Sequence, residues 1–287
     1  MLIYVKHYGQ MCNRLWAIMP VIAYALQKKK KLYVIFAKKS YLGYFPHLKK
    51  CKWVRFMFSH NCIHPKSLEW RLSLLSEKYN LELKEDLKTI NHVGLFSFVD
   101  GWQHSSDVSY IIEQKLEIVK IFEPEEKVIH KVNYYFDKYK GITIGVHVRR
   151  GDYKDYLDGK YFFSDEVYLD AITQVRKLFS YGNGNVRFLI CSNEPFNVPQ
   201  NYGDIFSIDN TDGMIDLYAL SCCDYIIGPP SSYSQWASFY GNVPLCMLLD
   251  ENIDINKESF SRIVSFNTFE NGKCIKLNSH KNEYYLE

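Results

Sequence analysis

The segment from His147 to Asp152 holds side chains that could do chemistry on a charged substrate. It has the sequence HVRRGD, with adjacent guanidinium groups at Arg149 and Arg150, and it follows the apolar run 142–148. Adjacent like charges beside a buried strand cost stability unless an anion lies between them. Since the planar fork of arginine matches phosphate oxygens, the segment predicts a phosphate site in which Asp152 holds one arginine. A surface loop with an ordinary Arg–Asp pair is the alternative.

Two other segments join a predicted strand to a predicted helix. One runs from Gly9 to Asn13, and the other contains Ser231, Ser232 and Ser234. The free N–H groups at the start of a helix and the helix dipole both favour an anion. Both segments are therefore candidate ligand contacts, although helix capping by Asn13 and by one of the serines explains them equally well.

The acidic residues of the second half do not form a metal-binding motif. Asp209 and Asp212 follow a short predicted strand, but their spacing differs from the Asp-x-Asp motif of metal-dependent transferases and is typical of a turn. The aspartates that recur every three residues from Asp152 to Asp158 lack the glycine and the closing glutamate of an EF-hand. We therefore predict no essential metal ion.

The second half of the chain alternates strand-like apolar runs with helical segments. Strands are predicted over 142–148, 186–191, 204–208, 225–228 and 243–248, and helices over 165–179, 214–223 and 235–241. This alternation favours a parallel sheet with crossover helices. Ligands bind such sheets outside the carboxyl ends of the strands, so the loops after residues 148, 191 and 228 are the predicted site.

The first 37 residues are predicted to form a strand, a helix over 13–27 and a second strand. A length of 287 residues is more than one hydrophobic core commonly serves. Gly141 opens a new strand after a polar helix end and marks the predicted boundary. We therefore predict an α/β protein with two domains, residues 1–140 and 141–287.

The charged residues are nearly balanced, with 35 basic and 32 acidic side chains and a net charge of +3. A balanced charge gives no long-range attraction for nucleic acid, so we predict no nucleic-acid partner. The run Lys28–Lys31 follows a predicted helix and is typical of a solvated helix C-terminus, where cations complement the dipole. Peripheral membrane association through this run is the less favoured interpretation.

No transmembrane segment or secretory leader is predicted. The longest apolar run, residues 15–26, is too short to cross a bilayer and contains Pro20. The first ten residues lack the order of basic, apolar and small residues found in a secretory signal. The eight cysteines show neither metal-ligand spacing nor a small disulfide framework, so reduced thiols are expected. These features predict a cytoplasmic protein.

The segment HVRRGD resembles the His-x-Arg-Arg-x-Asp signature of GDP-fucose-dependent fucosyltransferases, in particular the bacterial alpha-1,2-fucosyltransferases. The opening loop of the chain is similar to that of the family through Gly9 and Asn13. A glycine-aromatic-glutamine stretch before a predicted helix resembles another family segment through Trp102 and Gln103. These segments occur in the family's order along the chain.

Two later segments extend the resemblance. FLICSNE (188–194) is similar to a family strand and its loop, with Ser192 and Glu194 in the loop. The segment 216–241 resembles a family stretch that ends in a serine-rich run, which here is Ser231-Ser232-Tyr233-Ser234.

Three residues depart from the family pattern. Cys12 stands where a second glycine is usual, Asn193 precedes Glu194 in place of an acidic pair, and Pro230 takes an asparagine position. The departures keep a second class of function open, a non-catalytic module that binds a nucleotide or a glycan with the same fold. A sulfotransferase is disfavoured because no G-x-x-x-x-G-K loop follows the first strand.

The resemblance implies two Rossmann-like domains facing a cleft, the GT-B arrangement, with the acceptor bound by residues 1–140 and GDP-fucose by 141–287. It implies transfer of L-fucose with inversion, without a metal or another cofactor, to a glycan hydroxyl, the 2-hydroxyl of galactose. Arg149 and Arg150 would stabilise the charge on the β-phosphate, with Arg150 as the more direct contact. Asp152 and Asp100 are the candidate general bases.

The implied substrate contacts form a larger set. They are Gly9, Asn13, Trp102, Gln103, His147, Ser192, Glu194, Ser231, Ser232, Tyr233 and Ser234. Guanine recognition needs a carboxylate or backbone groups, for which Glu194, Asp209 and Asp216 are candidates. Asp216 also fits the start of a helix as a partner of the dipole.

Overall fold

A computed structural model of the chain describes residues 1–4, 9–38, 42–59, 92–93, 96–99, 108–180, 185–200 and 202–287. The chain divides into two units, Met1–Glu125 and Glu126–Glu287. This division lies before the boundary predicted after residue 140, because the helix Glu126–Phe136 belongs to the second unit. Val128 and Val132 of this helix are buried. The helix is therefore assigned to the second unit by its packing, although its polar end favours a boundary after it.

Five strands of the first unit form one sheet. They are β1 (Leu2–Tyr4), β2 (Leu32–Lys38), β3 (Val54–Ser59), β4 (His92–Val93) and β5 (Phe96–Val99). Among the described residues their order is β3-β2-β1-β5-β4, and neighbours are parallel except for β4 and β5. The parallel pairing of β1 with β2 confirms the predicted β-α-β unit.

Helix α1 (Met11–Gln27) connects β1 to β2 and is buried along most of its length. Its interior residues Leu15, Trp16 and Ile22 are excluded from solvent. Two shorter helices follow β5, namely α2 (Val108–Glu113) and α3 (Lys115–Ile121).

The second unit contains a parallel sheet. Its strands are β6 (Ile142–Val148), β7 (Val186–Ser192), β8 (Ile205–Phe206), β9 (Tyr225–Gly228) and β10 (Leu245–Met247). Their order is β10-β9-β6-β7-β8 and every pairing is parallel. The non-sequential order requires crossover connections, which confirms the predicted α/β class.

Four helices belong to the second unit as the structure describes it. They are α4 (Glu126–Phe136), α5 (Asp165–Phe179), α6 (Gly213–Ser221) and α7 (Ser232–Gly241). Val146 and Val148 of β6 share a buried cluster with Tyr168 and Ile172 of α5, which fixes the end of β6 against that helix. In the described ranges, no helix has the length and apolar character needed to cross a membrane.

The C-terminal part of the chain adds antiparallel strand pairs. These are β11 (Ile263–Ser265) with β12 (Thr268–Phe269), and β13 (Ile275–Asn278) with β14 (Glu283–Leu286). The β13–β14 hairpin contacts the segment that follows β6, where the backbone N–H of Tyr284 donates to the hydroxyl of Tyr161 at 2.6 Å. The end of the chain therefore supports a loop of the parallel sheet.

Candidate functional site

Three strands of the second unit end at the same edge of its sheet. Val148 of β6 pairs with Ser192 of β7, and Val146 pairs with Ile227 of β9. The loop after β6 turns at Gly151, which has a φ of +64°, and a Cβ there would lie 3.0 Å from Nδ2 of Asn193. The loops after β6 and β7 therefore lie against each other, at the edge where parallel sheets bind ligands.

Arg150 is locked into the second unit by its own protein. It is 6% exposed, and its terminal nitrogens donate to a carboxylate oxygen of Asp165 and to the backbone carbonyl of Phe163. Its guanidinium carbon lies 5.2 Å from the ring centre of Phe162 and 5.7 Å from that of Tyr168. The charge of Arg150 is therefore already balanced by groups of its own unit.

Asp165 is the partner of Arg150 that sequence reasoning missed. It is the first residue of α5, and its second carboxylate oxygen accepts from the backbone N–H and the side-chain amide of Asn197 at 3.2 and 3.0 Å. One carboxylate thus joins Arg150 to the loop that follows β7. The signal in the sequence was an aspartate in a first helical turn, which is also the ordinary place for a dipole partner.

Arg149 has a different environment from Arg150. Its Nη2 donates to Oδ1 of Asp152 at 2.6 Å, and 19% of its side chain and 60% of that of Asp152 are exposed. Its guanidinium carbon lies 5.2 Å from the ring centre of Tyr153. Among the described residues its buried Nε has no hydrogen-bond partner. Arg149 therefore combines a fixed position with unused donor capacity, which suits it to binding an anion.

A row of tyrosines, Tyr153, Tyr156 and Tyr284, starts at Arg149, and its members contact one another in series. The ring of Tyr153, which lies under the guanidinium, is 5.1 Å from that of Tyr156, and the hydroxyl of Tyr156 shares a 2.6 Å hydrogen bond with the hydroxyl of Tyr284. The hydroxyl of Tyr153 donates to the carbonyl of Pro230. The arginine loop is thus tied both to the β13–β14 hairpin and to the loop after β9.

The backbone that follows Tyr156 adopts an unusual conformation. Leu157, Asp158 and Gly159 have φ values of 48°, 57° and 75°. Left-handed conformations cost about 1–2 kcal/mol for a residue with a side chain, so outside contacts must hold this stretch. The side-chain amide of Asn282, in the hairpin, supplies one such contact by donating to Asp158 at 2.8 Å.

His147 is a neutral imidazole at the base of the site. Burial first, and then the charge of Arg149, lower its pKa from 6.5 to about 3. Its ring centre lies 5.0 Å from that of Tyr233, and its buried Nδ1 has no partner among the residues described. A Cβ at Gly228 would come within 2.9 Å of both Cβ and the carbonyl oxygen of His147, so a glycine is needed there.

The serine-rich loop after β9 starts helix α7. Ser231 is the N-cap, and its hydroxyl accepts from the backbone N–H of Tyr233 at 3.2 Å. The buried hydroxyl of Ser234 donates to the carbonyl of Ser231 at 3.3 Å. The capping interpretation is thus confirmed for Ser231, while Ser232 is the first residue of the helix and is half-buried.

The loop after β7 contributes exposed polar groups. The backbone N–H of Glu194 donates to the hydroxyl of Ser192 at 3.3 Å, and the Glu194 side chain is exposed. Oδ1 of Asn193 accepts from the backbone N–H of Arg150 at 2.9 Å. The asparagine that departs from the family pattern therefore braces the arginine loop.

Two of the candidate guanine-binding carboxylates lie near the start of α6, where Asp209 precedes the helix and Asp216 lies inside it. Asp212 is the N-cap of α6 and accepts from the backbone N–H groups of Met214 and Ile215, both at 2.9 Å. Asp216, inside α6, lies beside the end of β7, because Sγ of Cys191 donates to its carbonyl at 3.8 Å. Burial raises the pKa of Asp216 from 3.8 to about 6. The carboxylate of Asp216 therefore lies in a partly desolvated environment.

The predicted contacts of the N-terminal half lie in the first unit or outside the described residues. Asn13 is inside α1 rather than at its start, since Gln10 occupies the N-cap position, and the capping interpretation of Asn13 is therefore wrong. Gly9 has a φ of +50°, and a Cβ there would lie 2.5 Å from Nδ2 of Asn13. The carbonyl of Gly9 accepts from Nε of Arg14 at 3.0 Å.

Several predicted residues have no structural description. Asp100, Trp102 and Gln103 lie outside the described residues. In the part of the chain that the structure describes, no three histidine, cysteine or acidic side chains cluster in a way that could hold a metal ion.

Known proteins of similar fold are fucosyltransferases. NodZ from Bradyrhizobium matches with a TM-score of 0.58 and 14% identity, over 86% of this chain and 95% of that one. A NodZ alpha-1,6-fucosyltransferase soaked with GDP-fucose matches with a TM-score of 0.54 and 14% identity, over 100% and 98% of the two chains. POFUT1 in complex with GDP-fucose matches with a TM-score of 0.51 and 8% identity, over 83% and 93%. At these identities the likeness shows the fold.

The sequence itself was compared in two further ways. No curated protein matches the chain significantly in sequence. The model of glycosyl transferase family 11 matches residues 72–255, a range that includes the arginine loop and the strands around it. Because this match spans more than half of the chain, the chain belongs to glycosyl transferase family 11.

Proposed function

We propose that the protein transfers L-fucose from GDP-fucose to a hydroxyl of a glycan acceptor, with inversion and without an essential metal ion. Membership of a glycosyl transferase family supports the reaction class. The choice of donor is supported by two proteins of similar fold, a NodZ structure soaked with GDP-fucose and a POFUT1 structure in complex with GDP-fucose. The observation that carries the proposal is Arg149, a positioned arginine with unused donors at the carboxyl edge of a parallel sheet.

The leaving group explains why an arginine is needed. Negative charge builds up on the β-phosphate of GDP as the glycosidic bond breaks, and a donor already in place stabilises that charge in the transition state. Arg149 keeps donors available, whereas Arg150 is buried and bound to Asp165 and Phe163. We therefore assign the phosphate contact to Arg149, which reverses the order of the pair that the family resemblance favours.

Two further groups are proposed to bind the nucleotide. The neutral ring of His147 has an Nδ1 that no described residue hydrogen-bonds, and this atom suits a hydrogen bond to a bound ligand. Asp216 is half-buried near the end of β7, and guanine presents N–H donors that a carboxylate accepts.

Asp152 is proposed as the partner that holds Arg149 rather than as the general base. One of its oxygens is already bound to the guanidinium at 2.6 Å. The 2-hydroxyl of galactose remains the proposed acceptor group, and Trp102 and Gln103 remain proposed contacts for the acceptor.

The test is a turnover assay with GDP-fucose and a galactose-terminated oligosaccharide, with and without EDTA. We expect GDP release and a fucosylated product in both conditions, with the linkage read by NMR of the product. Arg149→Ala should abolish most turnover, whereas Arg262→Ala, which removes an exposed arginine of the same unit paired with Glu270, should not. Tight GDP binding without turnover on any acceptor would instead show a non-catalytic binding module. Loss of turnover in EDTA that returns with a divalent ion would overturn the metal-independent mechanism.

A further inference from the structure

The basic side chains are distributed very unevenly along the chain. The first 59 residues contain twelve lysines and arginines and no aspartate or glutamate. The other 228 residues hold the remaining 23 basic side chains and all 32 acidic ones, so their net charge is −9. The overall charge of +3 therefore conceals a strongly positive N-terminal segment, and this asymmetry points to an anionic partner.

The fold gathers seven of these cations at one end of the first sheet. The turn between α1 and β2 brings one group and the approach to β3 brings the other, because the backbone N–H of Leu32 donates to the carbonyl of Trp53 at 2.8 Å. Leu32 also pairs with Val54 in the parallel register, so both segments end at the amino edge of the sheet. We call this surface the basic edge, and it consists of Lys29, Lys30, Lys31, Lys49, Lys50, Lys52 and Arg55.

The charges of the basic edge are available to a partner. All seven residues are exposed. In the ranges that the structure describes, none of them forms an ion pair, although His47 close by in the chain pairs with Glu123 at 3.0 Å. Within the described part of the chain no counter-charge pairs with these cations, and a surface of this kind favours association with a dense array of negative charges.

Apolar groups accompany these cations. Trp53 is half-buried, and Nζ of Lys52 lies 5.2 Å from its ring centre. Met57 is 53% exposed and lies two residues after Arg55 in β3, on the same side of the strand. Tryptophan and exposed apolar side chains among lysines are typical of proteins that lie on the interface of a bilayer.

The type of cation helps to choose the partner. Six of the seven side chains are lysine, a hydrated point charge, whereas recognition of individual phosphates in nucleic acids favours the bidentate fork of arginine. Clusters of four to eight cations next to a bilayer bind anionic lipids, and each is worth about 1 kcal/mol near the surface. We propose that the basic edge binds the protein peripherally to membranes rich in anionic phospholipids.

The basic edge lies away from the end of the first sheet at which parallel sheets bind ligands. It lies at the amino ends of the strands, whereas open parallel sheets bind ligands at the carboxyl ends. Membrane binding through the basic edge therefore leaves the carboxyl end of the same sheet accessible. The inference does not depend on the proposed reaction.

The test is co-sedimentation of the full chain with vesicles of phosphatidylglycerol and phosphatidylcholine, compared with phosphatidylcholine alone. We expect binding only to the anionic vesicles, and weaker binding as salt rises. K29Q/K30Q/K31Q/K49Q should reduce partitioning on the order of a hundredfold or more. K140Q/K177Q/K257Q/K273Q removes the same charge from exposed positions of the second unit and should bind as the wild type does.

Three outcomes would overturn the proposal. Equal loss in the two quadruple variants would show that net charge alone matters. Equal binding to both kinds of vesicle would exclude the anionic headgroup as the ligand. Competition by a short DNA duplex that removes the protein from anionic vesicles at low concentration would show a nucleic-acid surface instead. Turnover on a soluble acceptor should be the same in both variants, so failure of this proposal leaves the proposed function standing.

Discussion

Arg150 lies inside the second unit with its charge balanced by Asp165. Arg149 beside it is held by the exposed Asp152, and its buried Nε has no hydrogen-bond partner among the described residues. Consecutive residues of an extended chain point to opposite sides, and Arg150 has the extended dihedrals φ −123° and ψ −156°. One arginine of the pair therefore enters the core and the other faces the loop edge. Two identical neighbouring residues can thus have opposite environments, one buried and paired and the other partly exposed.

The largest expected difference is in catalysis. Arg149→Ala should lower kcat by a factor of about a hundred or more, because it removes a preorganised donor to the leaving phosphate. Its thermal unfolding should change little, since its side chain is partly exposed and its partner Asp152 is mostly in solvent. Steady-state kinetics with GDP-fucose, beside a melting curve, would check both parts. Normal kcat in this variant would remove Arg149 from the mechanism.

Arg150→Met should act on stability instead. It leaves the carboxylate of Asp165 in a mostly buried position without its counter-charge, which costs about 3 kcal/mol. Urea unfolding followed by circular dichroism would measure the change. In the double variant R150M/D165L most of the loss should be recovered, because no buried charge remains. A double variant as unstable as the single one would contradict this reading of the pair.

The pH dependence of unfolding should show that His147 stays neutral in the folded protein. The histidine stays neutral in the folded chain to about pH 3, because burial and the charge of Arg149 lower its pKa, whereas it binds a proton below 6.5 when unfolded. The stability that this residue supplies is therefore present above pH 6.5 and is lost as the pH falls, by about 2 kcal/mol at pH 5. His147→Gln should lose less stability between pH 7.5 and pH 5 than the wild type does. An identical acid dependence in the two proteins would show that His147 is protonated in the folded state.

Asp152→Asn should have a smaller effect than any change at the arginines. Exposed ion pairs contribute at most about 1 kcal/mol, so kcat should fall by about fivefold or less as Arg149 loses part of its positioning. Turnover measured across pH would check this. A loss as large as that of Arg149→Ala, with a change in the acidic limb of the profile, would instead identify Asp152 as the general base.

The smallest effect is expected at the hairpin. Tyr284→Phe removes the hydroxyl that bonds to Tyr156, two steps from Arg149, and should lower kcat about threefold with little change in the KM for the acceptor. The matched control is Tyr285→Phe, since the neighbouring Tyr285 side chain is 43% exposed. Equal kcat in the two variants would show that the row of tyrosines does not influence Arg149.

The strand and helix pattern of the second half was predictable because it is local. Each strand is a short apolar run followed by a turn, and the parallel order follows from the alternation with helices. The position of the arginine loop at a strand end was predictable for the same reason. The boundary predicted after residue 140 follows the polar end of α4, whereas the assignment of α4 to the second unit depends on Val128 and Val132, which are buried.

The missed features are contacts between distant parts of the chain. The pairing of Arg150 with Asp165 arises only when the loop after β6 folds back onto the start of α5. Likewise, Lys28–Lys31 looks like an ordinary helix end by itself. Its meaning changes because the register of β2 and β3 brings a second basic segment to the same edge, which no local pattern reveals.

Gly228 shows how much of the site depends on an atom that is absent. Strand β9 approaches β6 so closely that a methyl group at this position would be 2.9 Å from the backbone and the Cβ of His147. Any larger residue would push the strands apart and tilt the imidazole away from Tyr233. A position that offers no functional group to a ligand thus sets the distance between β6 and β9 beside His147.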